Sequence, residues 1–203
     1  MKALPKTNIP LWLCLALVGS ALCLMGVALQ AESDFDAKSG KISFNVGSNV
    51  PFLKVSGSSS LLKGGGEAAV QAETVVVRHL EFEVDPKTFK TGIELRDRHL
   101  YERVFMASDG SMPPIILRAE QFEAAPNGKP GTWEGNLKGQ LTMRGVTKPV
   151  SFHASLQKKG EEAVVNAEGR IHTSAFGVKE ITYSGATVND EVTVTVTNLR
   201  VAP

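Results

Sequence analysis

Gly139-Gln-Leu-Thr-Met-Arg-Gly-Val-Thr-Lys-Pro-Val-Ser-Phe152 decides how this chain folds. Leu141 and Met143 share a parity and end one strand, and Gly145 permits a tight turn. Thr147-Lys148-Pro149 then starts a second strand, in which Val150 and Phe152 share a parity. Pro149 has no backbone donor, so it belongs at a strand start or an edge. The stretch is therefore a hairpin of two strands with one apolar face each, and it contains no evident reactive group.

The same alternation extends in both directions. Trp133 and Leu137 continue the parity of Leu141, while Ala154 and Leu156 continue that of Phe152, and Val192, Val194 and Val196 repeat the pattern near the end. Strands are predicted over 115–123, 133–144, 148–158, 163–173 and 191–201, with Asn127-Gly128 and Lys159-Gly160 as hairpin turns. Strands spaced this way, with glycine punctuation, indicate an antiparallel meander, not βαβ units. Gly135 and Gly139 lie on the apolar parity of their strand, where glycine is favoured by curvature or a close neighbour, so the sheet is expected to close as a barrel.

Upstream, Val75 to Val84 is strongly β, with Leu80, Phe82 and Val84 on one face and His79, Glu81 and Glu83 on the other. Asp85-Pro86 starts a turn, and Gly92 can take a left-handed conformation. Thr91-Gly-Ile-Glu-Leu-Arg-Asp-Arg-His-Leu100 follows, and a helix is predicted over 94–105. Leu100 with Val104 and Tyr101 with Phe105 form its apolar stripe, and Glu94, Arg98 and Glu102 are spaced for ion pairs. A helix this short is marginal alone, so it must lie on an end or flank of the barrel.

These two stretches, in this order, resemble the YceI-like family of secreted, lipocalin-like barrels. The matching residues are Thr91-Gly92, Leu95, Arg96-Asp97, His99-Leu100, Leu141-Thr142, Gly145-Val146-Thr147, Pro149 and Phe152, and the likeness runs from about Val75 to Val201. The resemblance implies an all-β, antiparallel barrel of about eight strands with one short helix, in which a polyisoprenoid or other long-chain lipid lies. The region before Val75 departs from the family pattern. Ile42, Phe44 and Val46 read as a half-buried strand with Phe52 to Val55 as its neighbour, whereas Glu32 to Gly40 reads as frayed and Ser56 to Gly66, with four serines and four glycines, as a mobile loop.

The first thirty-one residues place Lys2 and Lys6 before an apolar run from Ile9 to Leu29 and small residues up to Ala31, the layout of a secretory signal peptide. The run is also long enough to span a bilayer as an uncleaved inner-membrane anchor. Residues 32–203 are then expected to form a single YceI-like domain, periplasmic or secreted. Both cysteines, Cys14 and Cys23, lie in the leader, so no disulfide is expected in the mature chain. Removing Lys2 and Lys6 lowers Lys plus Arg from 22 to 20 against 21 acids, a net charge of −1. With no basic face, nucleic acid is not an expected partner.

Arg96-Asp97-Arg98-His99 is the densest group of chemistry-bearing side chains. Helix neighbours point about 100° apart, so the four cannot converge on one substrate atom. The run either fastens the helix to the barrel rim or places Arg96 or His99 against a ligand head group at the mouth. His79, His153 and His172 are scattered singly over three strands without metal spacing, and no metal site is expected. No nucleophile elbow, phosphate loop or dinucleotide motif is present, and no catalytic residue is assigned.

The inward candidates are Leu80, Phe82, Leu117, Trp133, Leu137, Leu141, Phe152 and Leu156, joined by Leu95 and Leu100 from the helix. Apolar inward residues fit a packed core as well as a hollow one. With the resemblance, the leading expectation is a non-enzymatic carrier of a polyisoprenoid, isoprenoid quinone or fatty acyl chain. It has no cofactor beyond such a bound lipid or quinone, and its outside contacts are limited to transient ones with a membrane or an envelope protein. The alternatives are a packed barrel serving as an envelope interaction module, and an unrecognised hydrolase.

Overall fold

The hairpin read from Gly139 to Phe152 is formed by β6 (Thr132–Met143) and β7 (Val146–Lys159) in the computed structural model, which describes residues 32–183 and 185–203. The leader expected over residues 1–31 lies outside the described residues. Met143 pairs with Val146 across a two-residue turn in which Arg144 (φ 56°) and Gly145 (φ 77°) are both left-handed. That is the twist a two-residue hairpin requires. Leu137 faces Phe152 and Trp133 faces Leu156, so both apolar parities meet on the inner wall.

The remaining strands are β1 (Ser33–Ser48), β2 (Val55–Ser59), β3 (Leu62–Gln71), β4 (Thr74–Val84), β5 (Ile115–Pro126), β8 (Glu162–His172), β9 (Thr182–Tyr183) and β10 (Ala186–Ala202). Neighbours in sequence pair antiparallel from β3 to β8, β8 pairs with β10, and β10 returns to β1. This closes an eight-strand antiparallel barrel, since β2 and β3 together occupy one place in the wall. Both pair with β1 in a single unbroken register, Ile42 opposite Ser59 and Phe35 opposite Gly66.

Two expectations about the N-terminal part are corrected here. Residues 33–40, read as frayed, belong to β1, where they pair with both β3 and β10. Residues 56–66, read as a mobile loop, are wall strand except at Ser60 and Leu61, where β2 passes into β3. The glycines that suggested a loop serve close strand approach: a Cβ on Gly65 would lie 1.8 Å from the carbonyl oxygen of Phe35. Phe52 to Val55, read as the neighbour of β1, is mostly the turn into β2.

Two single-residue irregularities reverse the parity of long strands. His79 is left-handed (φ 49°), and the β3–β4 register shifts there. Val75 and Val77 before it, and Leu80, Phe82 and Val84 after it, consequently all reach the interior. Asn198 (φ 51°) does the same in β10, changing the inward set from Val192, Val194 and Val196 to Leu199 and Val201. Its N–H, freed from the ladder, donates to Asn166 Oδ1 at 2.9 Å.

The helix occupies Glu94 to Phe105 as predicted, as α1 (Glu94–His99) continued by a π-helical turn, Leu100–Phe105. Arg98 pairs with neither Glu94 nor Glu102 among the described residues; all three are exposed, and the π turn from Leu100 alters the spacing between Arg98 and Glu102. Asp85 caps the turn before the helix, accepting from Lys87 N–H at 2.9 Å, and Gly92 is left-handed (φ 81°). The helix is seated by Leu100 and Phe105, buried beside Phe89, and the Phe44, Phe89 and Phe105 rings follow one another at 6.0 and 5.5 Å. Tyr101 Oη donates to the Phe89 carbonyl at 2.8 Å.

Candidate ligand cavity

The barrel is not filled by its side chains. A cavity of about 1230 Å³ runs along its axis. One end is lined by Ser33, Val70, Gly160 and Pro203, at the short turns and the chain terminus. At the other lie Leu53, Ile93, Leu95 and Ile181, on the longer connections. The fourteen residues of β7 make ~46 Å of strand, or ~35 Å of barrel height at a tilt of about 40°. The interior is therefore long and narrow.

All ten apolar residues expected to face inward, Leu80, Phe82, Leu95, Leu100, Leu117, Trp133, Leu137, Leu141, Phe152 and Leu156, line this cavity. Leu80, Leu100, Leu137, Leu141, Phe152 and Leu156 are buried, whereas Leu95 is 44% exposed at the helix end. Phe152 packs across the barrel wall against Gly169, whose missing side chain leaves room for the ring. Trp133 lines the cavity near the short turns, its Nε1–H donating to the Glu73 carbonyl at 2.7 Å.

Sequence reading missed part of the lining. Val75 and Val77 were hidden by the parity reversal at His79, and Phe35 lay in the segment read as frayed. Phe44 was read as half-buried, and it stands in the wall beside Phe89. Ala163, Val165 and Ala167 of β8 also line the cavity, and their alternation was visible had the strand been assigned a face.

The Arg96-Asp97-Arg98-His99 run divides by function. Arg96 and His99 line the cavity near its helix end, and Arg98 is exposed. Asp97 is buried and turned toward Thr91, whose N–H and Oγ1 donate to Oδ1 at 2.7 and 2.6 Å. Burial pushes its carboxyl up, but the Thr91 hydrogen bonds and the nearby charges of Lys90 and Arg96 outweigh this and hold it below the usual carboxylate value. Asp97 thus fastens the helix, and Arg96 and His99 are the cationic and imidazole groups left facing the interior.

A second carboxylate holds the connection after β8. Asp190 accepts from Ser174 N–H at 2.7 Å, Ser174 Oγ at 2.6 Å and Thr173 Oγ1 at 2.9 Å. Ser174, His172 and Asp190 are the residue types of a hydrolytic triad, yet the serine hydroxyl donates to Oδ2 of the carboxylate and His172 Nδ1 lies 3.4 Å from the same oxygen. The imidazole does not stand between them, so this wiring leaves the serine without a histidine base. His79 and His153 are exposed beside Glu67 and Asn136, and no group of three metal-ligating side chains occurs among the described residues.

The structure thus combines an elongated apolar interior inside an eight-strand barrel with a helix at one end that a buried aspartate fastens. The sequence profile of the YceI-like domain matches residues 34–198. The chain belongs to the YceI-like family. Two solved structures share the fold of this YceI-like protein. One is BcnA of Burkholderia cenocepacia, with a TM-score of 0.58 and 17% identity over 81% of this chain and 96% of that one. The other is a polyisoprenoid binding domain from Saccharophagus degradans implicated in plant cell wall breakdown, with a TM-score of 0.59 and 12% identity over 83% of this chain and 98% of that one. No curated protein sequence matches the YceI-like chain.

Proposed function

We propose that this YceI-like protein is a carrier that shields a long apolar molecule, a polyisoprenoid, isoprenoid quinone or fatty acyl chain, within its barrel. The observation that carries the reading is the elongated, apolar cavity of about 1230 Å³, larger than the roughly 300–1,000 Å³ of ordinary small-molecule pockets. A chain of ten methylenes buried there would gain on the order of 8 kcal/mol before ordering costs, so tight binding needs no special motif. The ten apolar residues above make the wall that meets the chain, and Arg96 and His99 meet a polar head group. The polyisoprenoid-binding relative supports this choice of ligand class.

The protein works outside the cytoplasm in this reading, in the periplasm or secreted, after loss of residues 1–31. If the leader is retained, the barrel is held at the inner membrane. The intact mass of the exported protein separates the two.

The test of the carrier is native mass spectrometry of protein purified without detergent, followed by organic extraction. A stoichiometric, lipid-sized adduct that disappears on extraction is the expected result. A bare mass that stays bare after incubation with isoprenoids, quinones and fatty acids would overturn the proposal.

A further inference from the structure

The wall of the barrel is split along one seam. β1 pairs with β3 over 33–36 and with β2 over 42–46, in one register, so residues 37–41 of β1 stand opposite 60–64. No ladder joins these two stretches, yet each keeps its other neighbour. β1 stays paired with β10 through this span, with two irregularities, and β3 stays paired with β4 from Leu62 onward. Leu61 N–H donates back to Ser59 Oγ at 3.1 Å instead of crossing to β1. The split is five residues long, or ~16 Å of strand.

Glycine contacts separate this interruption from a second one. The β5–β6 ladder is also broken, between Arg118 and Ala125, but there the strands press together. A Cβ on Gly135 would lie 2.2 Å from the Glu123 carbonyl oxygen, and one on Gly139 2.5 Å from that of Arg118. At the split, the atoms nearest a Cβ on Gly40 belong to Leu199 of β10, and those nearest one on Gly64 to Glu81 and Phe82 of β4. Both strands thus lean toward their outer neighbours. Phe35 and Ile42, beside the ends of the split on β1, and Leu62 across from them line the cavity. Leu61, the next residue, is 60% exposed on the outside of the wall, so apolar side chains mark both faces of the split. Parting these stretches breaks no ladder hydrogen bond, whereas parting continuously paired strands breaks several. The helix end is tied down by Asp97, and Arg144 Nη1 at the β6–β7 turn donates to the Gly177 carbonyl at 3.1 Å.

We infer that the split between β1 and β3 is a side portal, through which a long apolar chain enters and leaves the cavity while the helix stays fastened. This rests on the carrier reading and adds the route of loading to it.

The test bridges the split reversibly in the full chain, with Cys14→Ser and Cys23→Ser removing the native thiols. Lys38→Cys and Lys63→Cys face each other across it at exposed positions, and 1,2-ethanediyl bismethanethiosulfonate joins them until dithiothreitol is added. His153→Cys and Glu168→Cys, an exposed pair in the intact β7–β8 ladder, are the control. Stopped-flow fluorescence follows uptake of cis-parinaric acid and its displacement by excess palmitate. With 38 and 63 bridged, both rates are expected to fall at least ten-fold at unchanged affinity and to recover with dithiothreitol, while the 153–168 bridge leaves them alone. Unchanged rates with 38 and 63 bridged would overturn the portal. So would equal slowing by the 153–168 bridge, which would assign the effect to stiffening of the whole wall. The two proposals fail separately: cis-parinaric acid bound at rates that ignore the bridge sinks the portal alone, and no binding of it or of farnesol, bridged or reduced, sinks the carrier.

Discussion

Thr91 gives both its backbone N–H and its hydroxyl to one oxygen of Asp97, at 2.7 and 2.6 Å, across the left-handed Gly92. The side chain of Asp97 is 12% exposed, and its other oxygen lies 3.9 Å from Lys90 Nζ. This contact fixes where the helix begins, and hence where Ile93, Leu95, Arg96 and His99 stand relative to the cavity.

Because the native pKa of Asp97 is depressed, its stabilisation is complete above the unfolded value of about 3.9 and is lost as pH falls through the lower native value. Asp97→Ala is expected to cost about 2 kcal/mol at neutral pH, the worth of hydrogen bonds to a buried charge. The gap to wild type should close under strong acid. Urea unfolding at both pH values checks this, and a gap of equal size in acid would show that Asp97 acts through packing.

Gly65→Ala should destabilise the barrel by about 3 kcal/mol, since the new Cβ would press on the Phe35 carbonyl and force β3 from β1. Gly160→Ala, at a turn with open space but φ 65°, should cost about 1 kcal/mol. Guanidinium unfolding of the pair distinguishes a wall strand, in which the first loss is larger, from a loop, in which it is not.

Ala154 is buried on the inner face of β7 and borders the cavity. In a packed barrel Ala154→Phe would overfill the core and cost about 1–3 kcal/mol. In this hollow one the ring has room, so the melting temperature should hold while retained lipid falls at least ~10-fold, equivalent to ~1.4 kcal/mol. Extraction and quantification of lipid from wild type and variant is the measurement.

Arg96→Gln should discriminate by head group. Removing a charge-assisted hydrogen bond is expected to weaken palmitate binding about 10-fold. Hexadecanol, with the same tail and no charge, should bind as before. Titration with both ligands tests this, and a parallel loss would assign Arg96 to the scaffold.

Where one residue type answered to one force, the sequence was legible. The apolar alternation of β6 and β7 and the stripe of the helix reflect burial alone, and their faces and bounds agree with the structure. The Gly/Ser-rich strand from Val55 to Gln71 was not legible, because Gly65 answers to the Phe35 backbone of a partner strand about thirty positions away. The inward turn of Val75 and Val77 depended on one dihedral at His79, and nothing in local composition marks it. Cavity residues were legible as apolar, yet whether they touch one another or a void is decided by the barrel's girth, which no single strand encodes.

Closure by β1 against β10 has a kinetic consequence. Asp36 pairs with Ala202, so the seam joins the first and last of the described strands and carries the longest loop closure among the wall pairings. Until β10 arrives the sheet is an open, curved ribbon with an exposed apolar face and two unpaired edges. The interior is enclosed only once β10 is seated between β8 and β1. A guest held by the barrel must then either be present as a template when that seam zips or be admitted afterwards through a finished wall, and refolding with and without farnesol would tell which route is faster.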